Sequence, residues 1–253
     1  MSNETTIMPG AEAYSAQGDR RGALIIHGFT GCPQSMRPLA EAFAAAGFSV
    51  ELPRLPGHGT TPEDMAKYQW RDWTAAVDAA YRNLGSRTDK IIVAGLSMGG
   101  TLTLWTAEQH PEVAAIVVIN GACEDEDIKG LVEAAEQALA SSQTFLQGVA
   151  GDVADPNSKE LGYDRVPAAT VRPLMEGVAE VKSRLGEIKC PVLILHSPQD
   201  HVVGPGSVKA MREGIKAPIE YLALEKSYHV ATIDFDREEI NHRAVAFAAA
   251  VIG

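Results

Sequence analysis

Lys90-Ile91-Ile92-Val93-Ala94-Gly95-Leu96-Ser97-Met98-Gly99-Gly100 passes from an apolar, β-branched run into a serine with glycine two residues away on each side. A helix-compatible segment, residues 101–109, follows at once. Strand, sharp turn and helix form the context in which G-x-S-x-G is a nucleophile elbow. Such a turn strains the serine backbone, so the positions two before and two after must lack bulk. Gly95 and Gly99 meet that demand. Ser97 would stand above the edge of a sheet at the positive end of a helix, with the Met98 N–H aimed at a developing oxyanion. The plain alternative is a serine in a glycine-rich turn with no chemistry, and the rest of the chain decides between them.

Outward from this stretch, strand and helix patterns alternate. Residues 22–27, 48–52, 112–120, 190–196 and 219–224 read as strands. Residues 36–46, 70–84, 207–215 and 237–252 read as helices, with Ser35 a candidate cap for the first. Residues 1–21 leave room for one or two edge strands. The rhythm predicts an α/β fold with a doubly wound, mainly parallel sheet. It breaks between 122 and 185, where no convincing strand is seen. Two apolar stripes at helical spacing occupy that interval: Ile128, Leu131, Val132, Ala135 and Leu139, then Val171, Leu174, Met175, Val178, Val181 and Leu185. The expected division is a core of residues 1–121 and 186–253 with a small helical cap inserted at 122–185. The cap would lie over the C-terminal side of the sheet, where ligands bind in such folds. The alternative is helices that pad one face.

Composition narrows the function. Of 253 residues, 45% are hydrophobic and 22% charged, enough for a sizeable core. The net charge of −11 argues against nucleic acid and anionic membrane surfaces, which reward basic patches. Three scattered cysteines, Cys32, Cys123 and Cys190, form no disulfide framework or zinc-ligand spacing, as expected in a reducing cytoplasm. Residues 1–21 hold no signal-like apolar core, and no apolar run is long enough to span a bilayer. A cytoplasmic protein without stable membrane insertion is expected, its oligomeric state left open. There is no metal-ligand cluster and no P-loop, so neither metal nor cofactor is expected.

A serine nucleophile needs a base within hydrogen-bond reach, and the base needs an orienting carboxylate. After an elbow the chain order is Ser, then Asp or Glu, then His, on loops that follow later strands. Asp200 follows the apolar run 192–195 across Ser197-Pro198-Gln199. Asp125, Asp127, Asp152, Asp155 and Asp164 fall in the cap, and Asp234 and Asp236 lie beyond the last strand. None of these follows a core strand so directly. Of the histidines after Asp200, His201 is its neighbour, His242 belongs to the terminal helix pattern, and His229 comes soon after the last strand. Ser97, Asp200 and His229 therefore agree in order and context as a catalytic set. The second oxyanion donor is expected from the loop His27-Gly28-Phe29-Thr30-Gly31, at the Phe29 N–H. His27 reads as a buried structural histidine and His58, in Pro56-Gly57-His58-Gly59, as a turn-fixing one.

Together with Gln199-Asp200-His201-Val202-Val203 and Tyr228-His229-Val230, these stretches resemble the α/β-hydrolase superfamily over nearly the whole chain. Within it they resemble the bacterial carboxylesterase and monoacylglycerol lipase group. The resemblance implies Ser97, Asp200 and His229 as triad, Phe29 and Met98 as oxyanion donors, a small helical cap and a small-molecule carboxylic-ester substrate. Phe29, Leu131, Val171, Met175 and Val202 are the positions expected to touch that substrate. Two departures stand out. Tyr228 precedes His229 where the group often has glycine, and is expected to narrow the site or hydrogen-bond within it. Gly204-Pro205-Gly206 is expected to lengthen the loop carrying Asp200. The expected activity is hydrolysis of monoacylglycerols or short-to-medium acyl esters through an acyl-enzyme. The same triad serves carbon–carbon bond hydrolases and acyltransferases, and a non-catalytic ligand-binding protein on this fold can retain it. Dehalogenase and epoxide hydrolase chemistry needs an aspartate where Ser97 stands.

Overall fold

Apolar residues two apart along each strand sort the protein into two faces of one sheet. The computed structural model describes residues 6–124, 129–148 and 151–253. In chain order the elements are β1 (Tyr14–Ala16), β2 (Arg21–Ile26), α1 (Pro33–Ala45), β3 (Ser49–Leu52), α2 (Pro62–Met65), α3 (Trp70–Gly85), β4 (Lys90–Leu96), α4 (Met98–Gln109) and β5 (Ala115–Ile119). There follow α5 (Lys129–Ala140), β6 (Phe145–Gln147), β7 (Arg165–Pro167), α6 (Ala168–Arg184), β8 (Val192–His196), α7 (Pro205–Gly214), β9 (Ile219–Ala223) and α8 (Arg237–Ile252). The main sheet has seven strands in the order β1-β3-β2-β4-β5-β8-β9. All neighbours are parallel except β1, which runs antiparallel along β3.

On one face Leu24, Ile26, Val93, Val118 and Ile194 pack with Trp73, Val77 and Leu84 of α3, Leu102 of α4 and Met211 of α7. On the other, Ile25, Val50, Ala94, Val117 and Leu195 pack with Met36, Leu39 and Phe43 of α1 and Phe247 of α8. Strands buried on both sides read as continuous apolar runs, as those of β4, β5 and β8 do.

Between β5 and β8 the structure is more mixed than its sequence suggests. β6 and β7 pair antiparallel, Leu146 opposite Val166. Three-residue strands, one ending in Pro167, are too short to show alternation, so no strand is legible there. α5 joins them in a small apolar cluster of Ala135, Ala138, Val166, Ala168 and Val171. α6 instead sends Leu174, Val178 and Val181 into the same cluster as α3 and α4. Gly177 permits that approach, because a Cβ there would run into the Trp70 ring. Leu139, in the first stripe, faces outward and is exposed. Asp125, Asp127 and Ile128 lie outside the described residues.

Three helix starts differ from expectation. α1 begins at Pro33 with Cys32 as its N-cap, while Ser35 lies inside the helix and donates to the Cys32 carbonyl at 3.2 Å. α7 begins at Pro205 after Gly204, so Gly204-Pro205-Gly206 starts a helix instead of lengthening the Asp200 loop. In both, proline's fixed φ and missing N–H suit the first helical position. α4 begins at Met98, directly after the serine, so Gly99 and Gly100 are helical despite their low propensity.

Candidate active site

The site is built on the C-terminal ends of β2, β4, β5 and β8. Ser97 follows β4 with φ 57° and ψ −121°, a left-handed backbone that non-glycine residues rarely hold. Packing enforces it. A Cβ on Gly95 would collide with the Gly99 carbonyl, and one on Gly99 with the Ile26 carbonyl of β2. Chain and strand are thus close enough that only glycine fits at either position. The Ser97 N–H donates to the Ile119 carbonyl of β5 at 3.0 Å, which seats the turn on the sheet.

Met98 is the first residue of α4, so its N–H has no partner within the helix. Among the described residues, the Phe29 N–H, in the loop after β2, donates to no backbone group. That loop rests on two buried imidazoles. His27 faces the Gly28 carbonyl through Nδ1 at 2.9 Å and accepts the Leu55 N–H on Nε2 at 3.1 Å. Burial pushes His27 down to about 4, and it pushes His58 well below the ordinary histidine value, so both are neutral near pH 7. His58 packs edge-on against His27, Phe29 and Trp73. Both histidines are therefore scaffold for the loop, and Thr30, at φ 62°, completes its turn.

Asp200 lies on the loop after β8, its side chain 1% exposed. One carboxylate oxygen accepts the N–H groups of Val202 and Val203, each at 2.8 Å. The other meets His229 Nδ1 at 2.8 Å. With Asp200 ionised, Nδ1 carries the proton and Nε2 is left as the basic nitrogen. His201 points away, its Nδ1 2.8 Å from Asp152, and His242 is exposed on α8. Tyr228 does not line the site. Its ring stacks edge-on against His201, its N–H donates to Asp234, and its carbonyl accepts from Ser197.

Ser97, Met98, Phe29 and His229 line one mostly apolar cavity. Leu131 and Val202 line it too. Val171 and Met175 do not: they pack in the cluster between α5, β7 and α6. A helical stripe tells which face is apolar, not which apolar neighbour it meets. From α6 it is Leu174 and Val178 that reach the cavity, with Val166 from β7. The sequence reading also missed Glu160, whose carboxylate stands in the same wall. Burial pushes that carboxyl up, while the Gly151 N–H at 3.0 Å and the nearby His229 counter it. No local pattern marks Glu160, because a long loop brings it in.

A strained serine at a helix N-terminus, sharing one cavity with an imidazole tied to a carboxylate, marks a serine hydrolase on the α/β-hydrolase fold. The chain belongs to the family described as Serine aminopeptidase, S33 (Hydrolase_4), whose pattern matches residues 19–236. It is 44% identical over 250 residues to a thermostable monoacylglycerol lipase of Bacillus sp. (strain H-257), covering 98% of both chains. A solved structure from work on LipS and LipT, two metagenome-derived lipolytic enzymes, is 44% identical with a TM-score of 0.91. That match covers 97% of this chain and 100% of the other. A monoacylglycerol lipase from Paleococcus ferrophilus, 21% identical with a TM-score of 0.71 over 94% of this chain and 99% of its own, shares the fold.

Proposed function

We propose that the protein is a serine carboxylic-ester hydrolase acting on monoacylglycerols or short-to-medium acyl esters. The observation that carries this is His229, bonded to Asp200 at 2.8 Å, in the wall of the cavity that holds Ser97. Ser97 Oγ attacks the ester carbonyl as His229 Nε2 takes its proton, and the Phe29 and Met98 N–H groups receive the oxyanion. His229 gives the proton to the departing alcohol, leaving an acyl-serine. Water, deprotonated by His229, then releases the acid. Asp200 stays ionised throughout and supports the imidazolium.

The cavity's composition favours an acyl chain against Leu131, Val166, Leu174 and Val178. Glu160 is the carboxylate in that wall, placed to accept a hydroxyl of a polyol such as glycerol. A relative 44% identical over nearly the whole chain is a monoacylglycerol lipase. Among the described residues no helix is long and apolar enough to cross a membrane. Three cysteines, all buried and scattered along the chain, support a cytoplasmic location. The division into a core and an inserted cap at 122–185 belongs to the same reading, with α6 shared between them.

The test is turnover of a 1-monoacylglycerol and of 4-nitrophenyl butyrate by the wild type and by Ser97→Ala. Hydrolysis of both, abolished in the variant, is expected. A wild type that binds but does not hydrolyse, or an active Ser97→Ala, overturns the reading.

A further inference from the structure

The backbone of His229 is gripped at both ends by side chains from outside the proposed triad. Its carbonyl accepts from Asn120 Nδ2 at 2.8 Å, and its N–H donates to Asp152 Oδ2 at 3.0 Å. Each of those side chains also holds the loop of Asp200, one before the aspartate and one after it. Asn120 Oδ1 accepts the Ser197 N–H at 2.8 Å, and Asn120 Nδ2 reaches Ser197 Oγ at 3.1 Å. Asp152 faces His201 Nδ1 at 2.8 Å and accepts the His201 N–H at 3.3 Å. The two loops are thus pinned together on either side of the Asp200–His229 contact.

Both grips are anchored. Asn120 directly follows β5 at φ 43°, a left-handed conformation that asparagine tolerates better than most residues, and is 1% exposed. Its N–H donates to the Leu195 carbonyl, and the residue before it carries the carbonyl that receives the Ser97 N–H. One strand end is therefore bonded to the serine turn, the Asp200 loop and the His229 loop. Asp152 is fixed by its own carbonyl, which accepts the Val230 N–H at 3.0 Å. Neither residue lines the cavity, so neither is placed to touch substrate.

We infer that Asn120 and Asp152 are positioning residues for His229, setting its imidazole against Asp200 and Ser97 by clamping the two loops together. The inference rests on the reading of His229 as base. Loops have no ladder to hold them, and a displacement of about 1 Å at a reacting group can cost on the order of a hundredfold in rate.

The experiment compares wild type with Asn120→Ala, Asn120→Ser, Asp152→Ala, Asp152→Asn and Ser97→Ala. It measures kcat and KM on 4-nitrophenyl butyrate and the rate of Ser97 labelling by a fluorophosphonate, at a temperature where circular dichroism shows each variant folded. Asn120→Ala and Asp152→Ala are expected to lower kcat about 10- to 100-fold with KM changed less than about threefold, and to slow labelling by a similar factor. Asp152→Asn keeps an acceptor for the His229 N–H and is expected to recover most of the loss. A sixth variant, combining Asn120→Ala with Asp152→Ala, is expected to lose less than the product of the single losses, since both act on one group. Folded alanine variants with wild-type kcat and labelling rate, or a loss seen only in melting temperature, overturn the inference. If Asn120→Ala does not fold, Asn120→Ser and the Asp152 pair decide it. Hydrolysis surviving in Ser97→Ala would overturn the reading of the site itself, whatever the other variants do.

Discussion

Asp200 sits where two opposing effects meet. Burial disfavours its charge, but the hydrogen bond and charge of His229 and the N–H groups of Val203 and Val202 outweigh it, holding the carboxyl below its ordinary 3.8. A carboxyl lowered in the folded state adds stability above its unfolded pKa, and that stability is lost as pH falls through the folded value. The wild type is therefore expected to lose thermal stability between about pH 5 and pH 2 more steeply than Asp200→Asn, which has no carboxyl to protonate. The same variant is expected to lose about three orders of magnitude in kcat/KM, because it permits the wrong histidine tautomer. Equal acid slopes in melting scans, or near-normal ester hydrolysis, would refute this account. Ser97, Asp200 and His229 could be picked out in the sequence because each follows an apolar run in the order that an elbow demands. Asn120, Asp152 and Glu160 could not, since each acts by reaching across to another loop.

At the scale of elements, α4 carries the Ser97 turn at one end and a buried carboxyl near the other. Glu108 is 6% exposed, and neither of its carboxylate oxygens has a hydrogen-bond partner among the described residues. Burial pushes it up to about 8; Arg184 opposes this, and Glu187 and Glu180 add to it. A carboxyl raised in the folded state costs nothing below the unfolded value near 4.5. The cost grows as pH climbs from there toward 8, because the unfolded chain ionises and the folded one does not. Replacing Glu108 with methionine, of similar length, is expected to flatten that slope and raise stability at about pH 9 by about 1–3 kcal/mol. Melting midpoints of both proteins at about pH 5 and pH 9 check it, and an unchanged difference between the two pH values would sink it. The six parallel strands of the main sheet and the long helices were legible because their apolar periods run for several residues, whereas the three-residue β1 was not. β6 and β7 were not, since three residues make no period. α1 and α7 start earlier than their sequence patterns predict because proline takes the first helical position in both.

For the whole molecule, the sheet and its serine turn followed from the sequence, but the relation of α5 and α6 to the rest did not. α6 binds both the main apolar face and the cavity, so the cavity wall is stiffened from behind by the same packing that holds α3. The enclosed space is about 90 Å³. A cavity of about 150 Å³ takes up one benzene, so an acyl chain of more than a few carbons must extend toward the mouth. Each methylene buried on the way contributes about 0.8 kcal/mol, and rate follows where the chain is held in the transition state. For glycerol monoesters below micelle-forming concentrations, kcat/KM is expected to rise most steeply from acetate to butyrate, continue into medium chains and then level off. A triacylglycerol emulsion is expected to be poor. A preference for acetate over every longer chain, or faster turnover of the emulsion, would contradict this view of the cavity.

The grips on His229 also span long stretches of chain: 109 residues back to Asn120 and 77 back to Asp152. Synthesis runs from the N-terminus at about 5–20 residues per second. Ser97 and both partner side chains are therefore synthesised well before the imidazole they await. On the proposed reading of His229 as the base, hydrolytic competence arrives as one late step in biogenesis, once the last strand and the loop after it have docked.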